Sequence, residues 1–151
     1  MKKLAKFLGI ITAIFVLLTL LYIFSSNLPY TVQMNVLDAA DREEKFNTIS
    51  AQVAEGKYEG VDSLGDISEY CFIDVSVGLK NISPFKAEWI TLSVNSAAGD
   101  VLLLSDEAGP CDISAFSNGT VSLTILTRDA SVIRSGRVEY YIFGRYHCIE
   151  W

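Results

Sequence analysis

The pattern of apolar and polar positions splits the chain at residue 26. An apolar run free of charged residues extends from Phe7 to Phe24, preceded by Met1-Lys2-Lys3-Leu4-Ala5-Lys6. As a helix rising about 1.5 Å per residue, this run would be about 27 Å long, close to the hydrocarbon thickness of a bilayer. Beyond it the pattern changes to alternation. Thr31–Leu37 sets Val32, Met34 and Val36 against Thr31, Gln33 and Asn35, a strand signal of period two. Helix formers follow from Asp38, with Phe46, Ile49 and Val53 at helical spacing and Gly56 as a stop, which predicts a helix over 39–54. Residues 56–69 read as a loop.

The clearest alternation is Cys71–Lys80, with Cys71, Ile73, Val75, Val77 and Leu79 on one face. Further strands are predicted over 89–95 with Ile90, Leu92 and Val94 inward, over 101–104, and over 120–127 with Val121, Leu123 and Ile125 inward. A long loop is predicted between the last two, over 105–118. One closing strand over 138–148 places Val138, Tyr140, Ile142, Tyr146 and Cys148 on one side. The expected fold is mainly β: an Ig-like antiparallel β-sandwich of about six or seven strands with one short helix, behind a single transmembrane helix. The expected organisation is a basic cytoplasmic segment over 1–6, a membrane anchor over 7–26 and one extracytoplasmic domain over 27–151.

Lys2, Lys3 and Lys6 precede the apolar run and no Lys or Arg recurs until Arg42, so the positive-inside bias puts the N-terminus in the cytoplasm. The run is longer than a usual signal-peptide core and no A-x-A-like site follows it. A retained signal anchor is therefore expected over a cleaved leader. No Cys stands at the end of the run for a lipoprotein attachment, and Leu28-Pro29-Tyr30-Thr31 lies at the wrong end for a sorting signal.

All eighteen acidic residues follow the apolar run, against nine of the twelve basic ones, leaving the outer part at −9. That charge argues against nucleic acid and against anionic headgroups as partners. Cys71, Cys111 and Cys148 match no zinc spacing, and His147 is the single histidine. If 120–127 and 137–148 form a hairpin, Cys148 falls near Cys111, so a Cys111–Cys148 disulfide is expected, with three free thiols as the alternative. Neighbouring strand residues point apart, so His147 and Cys148 make no dyad. The loop carboxylates Asp62, Asp66 and Glu69, and Asp106, Glu107 and Asp112, match no calcium loop. No G-x-S-x-G elbow or phosphate loop is present. No enzyme, cofactor or metal site is expected.

Aromatic residues crowd the end of the chain. Trp89, Tyr141, Phe143 and Trp151 are the expected partner patch, unless the 39–54 helix covers Tyr141 and Phe143. The closing strand, if an edge, is open to strand addition.

Ile73-Asp74-Val75-Ser76-Val77-Gly78-Leu79-Lys80-Asn81-Ile82-Ser83, the following Ile-Thr-Leu-Ser-Val strand and the Gly99-Asp100-Val101 turn resemble small bacterial cell-envelope Ig-like domains. They are also similar to the late-embryogenesis/FxLYD group of sandwiches. The resemblance spans roughly 70–144, and the helix at 39–54 departs from it. It implies an extracytoplasmic adaptor or binding module and carries over no catalytic residue. The expected role is therefore binding or assembly in the bacterial envelope, with an unidentified envelope protein as partner. The alternatives are an accessory single-pass subunit of a membrane complex, with Gly9, Thr12, Ala13 and Thr19 permitting close helix contact, and a small hydrolase.

Overall fold

Connections that cross between two sheets, rather than hairpins within one, organise this chain. The computed structural model describes residues 2–25, 27–58, 61, 63–103 and 111–151. Helix α1, Lys2–Ser25, is followed by strand β1, Tyr30–Asp38, a 3-10 turn over Ala39–Arg42, and helix α2, Glu43–Ala54. A second 3-10 turn over Ile67–Glu69 and strands β2 (Cys71–Lys80), β3 (Ala87–Val94), β4 (Val101–Leu103), β5 (Cys111–Ile113), β6 (Asn118–Thr127), β7 (Gly136–Ile142) and β8 (Arg145–Glu150) complete the described elements. They form two antiparallel four-stranded sheets, ordered β1-β2-β6-β4 and β5-β3-β7-β8. Each connection from β2 through β7 passes from one sheet to the other; only β1–β2 and β7–β8 stay within a sheet.

Alternation fixes which faces are buried. Val77 and Leu79 of β2 meet Ala87 and Ile90 of β3, Ile113 of β5 and Val138, Tyr140 and Ile142 of β7 in one cluster between the sheets. Ile73, Val75, Leu123, Ile125 and Val94 continue it. Burying each large aliphatic side chain contributes roughly 1.5–3 kcal/mol.

Of the helix predicted over 39–54, Glu43–Ala54 forms as α-helix behind the 3-10 turn at Ala39–Arg42, and its capping explains its end. Gly56 adopts φ 74°, and the N–H groups of Gly56 and Lys57 reach the carbonyls of Val53 and Gln52, closing the helix in a left-handed glycine cap. Phe46, Ile49 and Val53 pack with Phe72, Val101 and Leu126 on the outer face of the first sheet. The helix therefore covers Phe72, and Tyr141 and Phe143 of the second sheet lie elsewhere and stay exposed.

The closing strand is two strands. Phe143 and Gly144 have φ of 52° and 72°, and Ile142 pairs with Arg145, a two-residue turn with both central residues left-handed. Cross-strand partners share a face, so passing the turn exchanges odd and even positions. Tyr146 and Cys148 consequently face outward with Tyr141 and Glu139, and His147 and Ile149 turn inward. Strand β5 lies within the segment expected to be a loop; Asp106, Glu107 and Asp62 fall outside the described residues.

Lys3–Tyr22 is long and apolar enough to be a candidate membrane span or signal sequence. None of that window is buried against the β domain. The chain then enters the core at once: Leu28 is buried among the inter-sheet residues, and its N–H donates to the Tyr140 hydroxyl at 3.3 Å.

Candidate functional site

The register brings four chain segments to one end of the β domain. Tyr30 at the start of β1 pairs with Leu79 near the end of β2, and Lys80 pairs with Asn118 at the start of β6. In the second sheet Ala87 pairs with both Ile113 and Ile142. The entry from α1, the 81–86 connection, the 114–117 connection and the 143–144 turn are therefore neighbours.

Asn81 holds two of these loops together. It is 1 % exposed, and its Nδ2 donates to the carbonyls of Phe85, Ile113 and Ser114 at 2.9–3.1 Å. Its Oδ1 accepts from the Ser83 N–H at 2.9 Å. A buried amide used this fully organises loop backbone that has no ladder partner. The Asn-Ile-Ser sequence is thus a structural device.

Three aromatic side chains project from this end. Trp89, Phe116 and Phe143 are the non-glycine residues with positive φ among the described residues, at 55°, 56° and 52°. Bulky residues avoid that region, and holding one there costs about 1–3 kcal/mol. All three are exposed, at 64 %, 74 % and 74 %. Trp89 sits at the irregularity in the β3–β7 register, where its N–H donates to Asp112 Oδ1 at 2.9 Å. With Glu88, Tyr141 and Gly144 it lines a shallow groove of about 390 Å3. Phe143 packs its ring 5.0 Å from Phe85. Tyr22, in the last turns of α1, completes the group with ring centroids 6.1 Å from Phe85 and 6.3 Å from Phe143.

Charge at this end is light. Lys86 Nζ lies 2.6 Å from Asp112 Oδ2; the hydrogen bond from Lys86 and that from the Trp89 N–H hold the Asp112 carboxyl below its ordinary value.

Of the expected patch, Trp89, Tyr141 and Phe143 come together and Trp151 does not. Trp151 pairs its backbone with Gly136 at the opposite end of the second sheet, and its indole packs over that glycine and against the core. Phe116 and Tyr22 were not singled out by the sequence pattern. Phe116 lies in an irregular loop, and Tyr22 lies in the apolar run.

The expected disulfide is absent: Cys71, Cys111 and Cys148 are free. β6 and β7 belong to different sheets, so the hairpin that brought Cys148 near Cys111 does not exist. β5 and β8 are opposite edges of the second sheet, three strand spacings or roughly 14 Å apart, beyond the reach of about 7 Å for a disulfide.

His147 is half-buried, its ring stacked 5.3 Å from that of Tyr140. Burial, with Arg145 adding to it, pushes its pKa down. The candidate carboxylates that are described have other partners: Asp66 accepts from the N–H and hydroxyl of Ser68, and Glu69 pairs with Arg128. Among the described residues, no group of three or more His, Cys, Asp or Glu side chains is placed to hold a metal ion.

A second apolar surface lies away from the helix entry. Met34 and Val36 on edge strand β1 stay exposed, beside Val132 and Ile133 of the 128–135 connection; Ile133 is 96 % exposed. Neither family models nor curated proteins matched the sequence.

Proposed function

We propose that the chain is a single-pass protein of the bacterial cell envelope, with its N-terminus in the cytoplasm and an Ig-like β-sandwich outside, and that its role is binding or assembly. The observation that carries this reading is the contrast between Lys3–Tyr22, which the β domain leaves largely uncovered and meets at Tyr22, and Leu28, a core residue six positions later. So large an apolar surface needs lipid or another helix to cover it. Lys2, Lys3 and Lys6 favour the stated orientation. Confinement to the membrane raises the effective concentration of the outer domain toward other membrane components.

Met34, Val36 and Ile133 support a protein-binding role for the outer domain. They border β1, the edge of the first sheet, and an edge strand offers unpaired backbone groups beside such side chains. The reading that α1 is itself a packing helix receives less support. Thr12 and Thr19 direct their hydroxyls to the carbonyls of Leu8 and Phe15 within the helix, so neither requires a partner helix.

A photo-crosslinking residue at Val36 or Ile133, used in intact cells, tests the proposal. A discrete adduct with an envelope protein is expected at these positions and not at exposed Lys57. Equal labelling at all three positions would rule out this binding surface.

A further inference from the structure

We infer that the helix-proximal end of the β domain is a lipid-docking surface, with Trp89, Phe116 and Phe143 seated at the boundary between headgroups and acyl chains of the bilayer that α1 crosses. This inference rests on the reading of α1 as a membrane span.

Four observations converge on it. The three residues come from separate segments, a strand irregularity, a loop and a turn, yet each holds an aromatic side chain outward from a left-handed backbone. Asn or Gly would relieve that backbone strain, so the aromatic identity serves something other than the turn. Secondly, the rings of Phe143 and Phe85 touch Tyr22, in the last turns of the apolar helix, so they lie at the depth where that helix leaves the hydrocarbon. Aromatic side chains concentrate at that depth because an apolar body and a polar edge are both accommodated there.

Thirdly, the acidic surface avoids this end. Residues 27–31, 78–89, 111–118 and 141–146 hold Lys80, Lys86 and Arg145 against Glu88 and Asp112 alone. Residues 38–58 and 63–70, toward the other end, hold Asp38, Asp41, Glu43, Glu44, Glu55, Asp66 and Glu69 against Arg42, Lys45 and Lys57. A domain strongly acidic overall thus turns its least acidic end to the headgroups. Finally, Asn81 fixes the 81–86 and 114–117 loops to each other, so the surface is formed before it meets lipid and little ordering cost remains.

Two tryptophans at opposite ends of the second sheet make the test internal. The full chain is reconstituted in phosphatidylcholine vesicles carrying acyl chains brominated near the headgroup, and tryptophan emission is compared with unbrominated vesicles. Quenching is expected in the native chain and is expected to be lost in Trp89→Phe, which retains Trp151. Phe116→Asn with Phe143→Asn, substitutions compatible with the left-handed backbone, are expected to reduce the quenching and shift Trp89 emission to the red. Quenching that survives Trp89→Phe would overturn the proposal, as would an unquenched Trp89. So would a Trp89 environment that changes with protein-to-lipid ratio, which marks a second copy as the covering partner. Flotation of the vesicles separates the two readings: a chain that does not float removes the anchor, and one that floats with Trp89 unquenched removes only the docking.

Discussion

Arg134 grips Asp100 inside the domain through two parallel hydrogen bonds, Nε to Oδ2 and Nη2 to Oδ1, both 2.8 Å. Their side chains are 3 % and 0 % accessible. The same guanidinium donates to Thr127 Oγ1 and to the carbonyls of Asp129 and Val132. One side chain therefore ties the turn before β4 to the connection between β6 and β7, and Val132 and Ile133 are presented outward as a result.

Removing one partner of this pair leaves the other charge buried. Arg134→Ala is expected to cost about 3–5 kcal/mol, read by chemical denaturation in detergent. Arg134→Met combined with Asp100→Leu is expected to recover most of the loss, because a well-packed apolar pair avoids the desolvation penalty. A double variant as unstable as the single one would mean that the backbone carbonyls, rather than Asp100, are what require Arg134.

Stability is expected to fall as the pH drops, in two windows. Burial raises the Asp100 and Asp74 carboxyls. In both cases the hydrogen bonds they accept, from Arg134 and Thr127 and from Arg42 and Thr124, outweigh it and hold them below the ordinary 3.8. Each group's contribution is complete above 3.8 and is lost as the pH falls through its lower folded value. His147 opens an earlier window. Its pKa is lowered by burial from the ordinary 6.5, so below 6.5 the unfolded chain takes up the proton first and folding weakens. Denaturation midpoints across pH 3–8 check this; His147→Phe is expected to remove the upper window and leave the lower one.

Asn81→Ala is expected to destabilise by about 3 kcal/mol or more, since it strands several buried backbone groups at once. The same variant should release Phe116, whose N–H donates to the Ser83 carbonyl at 3.2 Å in the adjoining loop. Hydrogen exchange localised to residues 81–86 and 113–117 is the measurement. Faster exchange spread evenly over both sheets would instead mean that Asn81 supports the whole core.

The cysteines are expected to act as independent thiols. Burial pushes Cys71 and Cys111 up and Cys148 is exposed, so mass spectrometry of alkylation should find Cys148 modified first. Cys148→Ser is expected to change stability by less than about 0.5 kcal/mol. A larger loss, coupled to Cys111→Ser, would show a disulfide after all.

The β2 pattern was legible because its inter-sheet face obeys period two: Ile73, Val75, Val77 and Leu79 are buried as the alternation predicts. The helix over 39–54 was legible from Phe46, Ile49, Val53 and Gly56, but its docking place was not. Phe72, the residue it covers, reads in sequence as the solvent side of β2. The β7–β8 turn was hidden because Phe143 occupies a position usually filled by Asn, Asp or Gly. The sheet assignment was hidden for a topological reason. Short connections suggested hairpins, yet five successive connections change sheets, and nothing in the local pattern distinguishes the two. At the helix-proximal end, the aromatic types were visible but their convergence was not: Asn81 joins the loops that carry Phe85 and Phe116 through contacts distant in sequence.

Leu28 also sets where the β domain can be shed whole. A protease that severs the chain between Tyr22 and Leu28 releases it with its interior complete. A cut only slightly farther along removes the leucine wedged between the sheets and the donor that Tyr140 accepts from. The window for intact release is therefore a handful of residues wide, and a soluble fragment beginning beyond it would carry a hole at its centre.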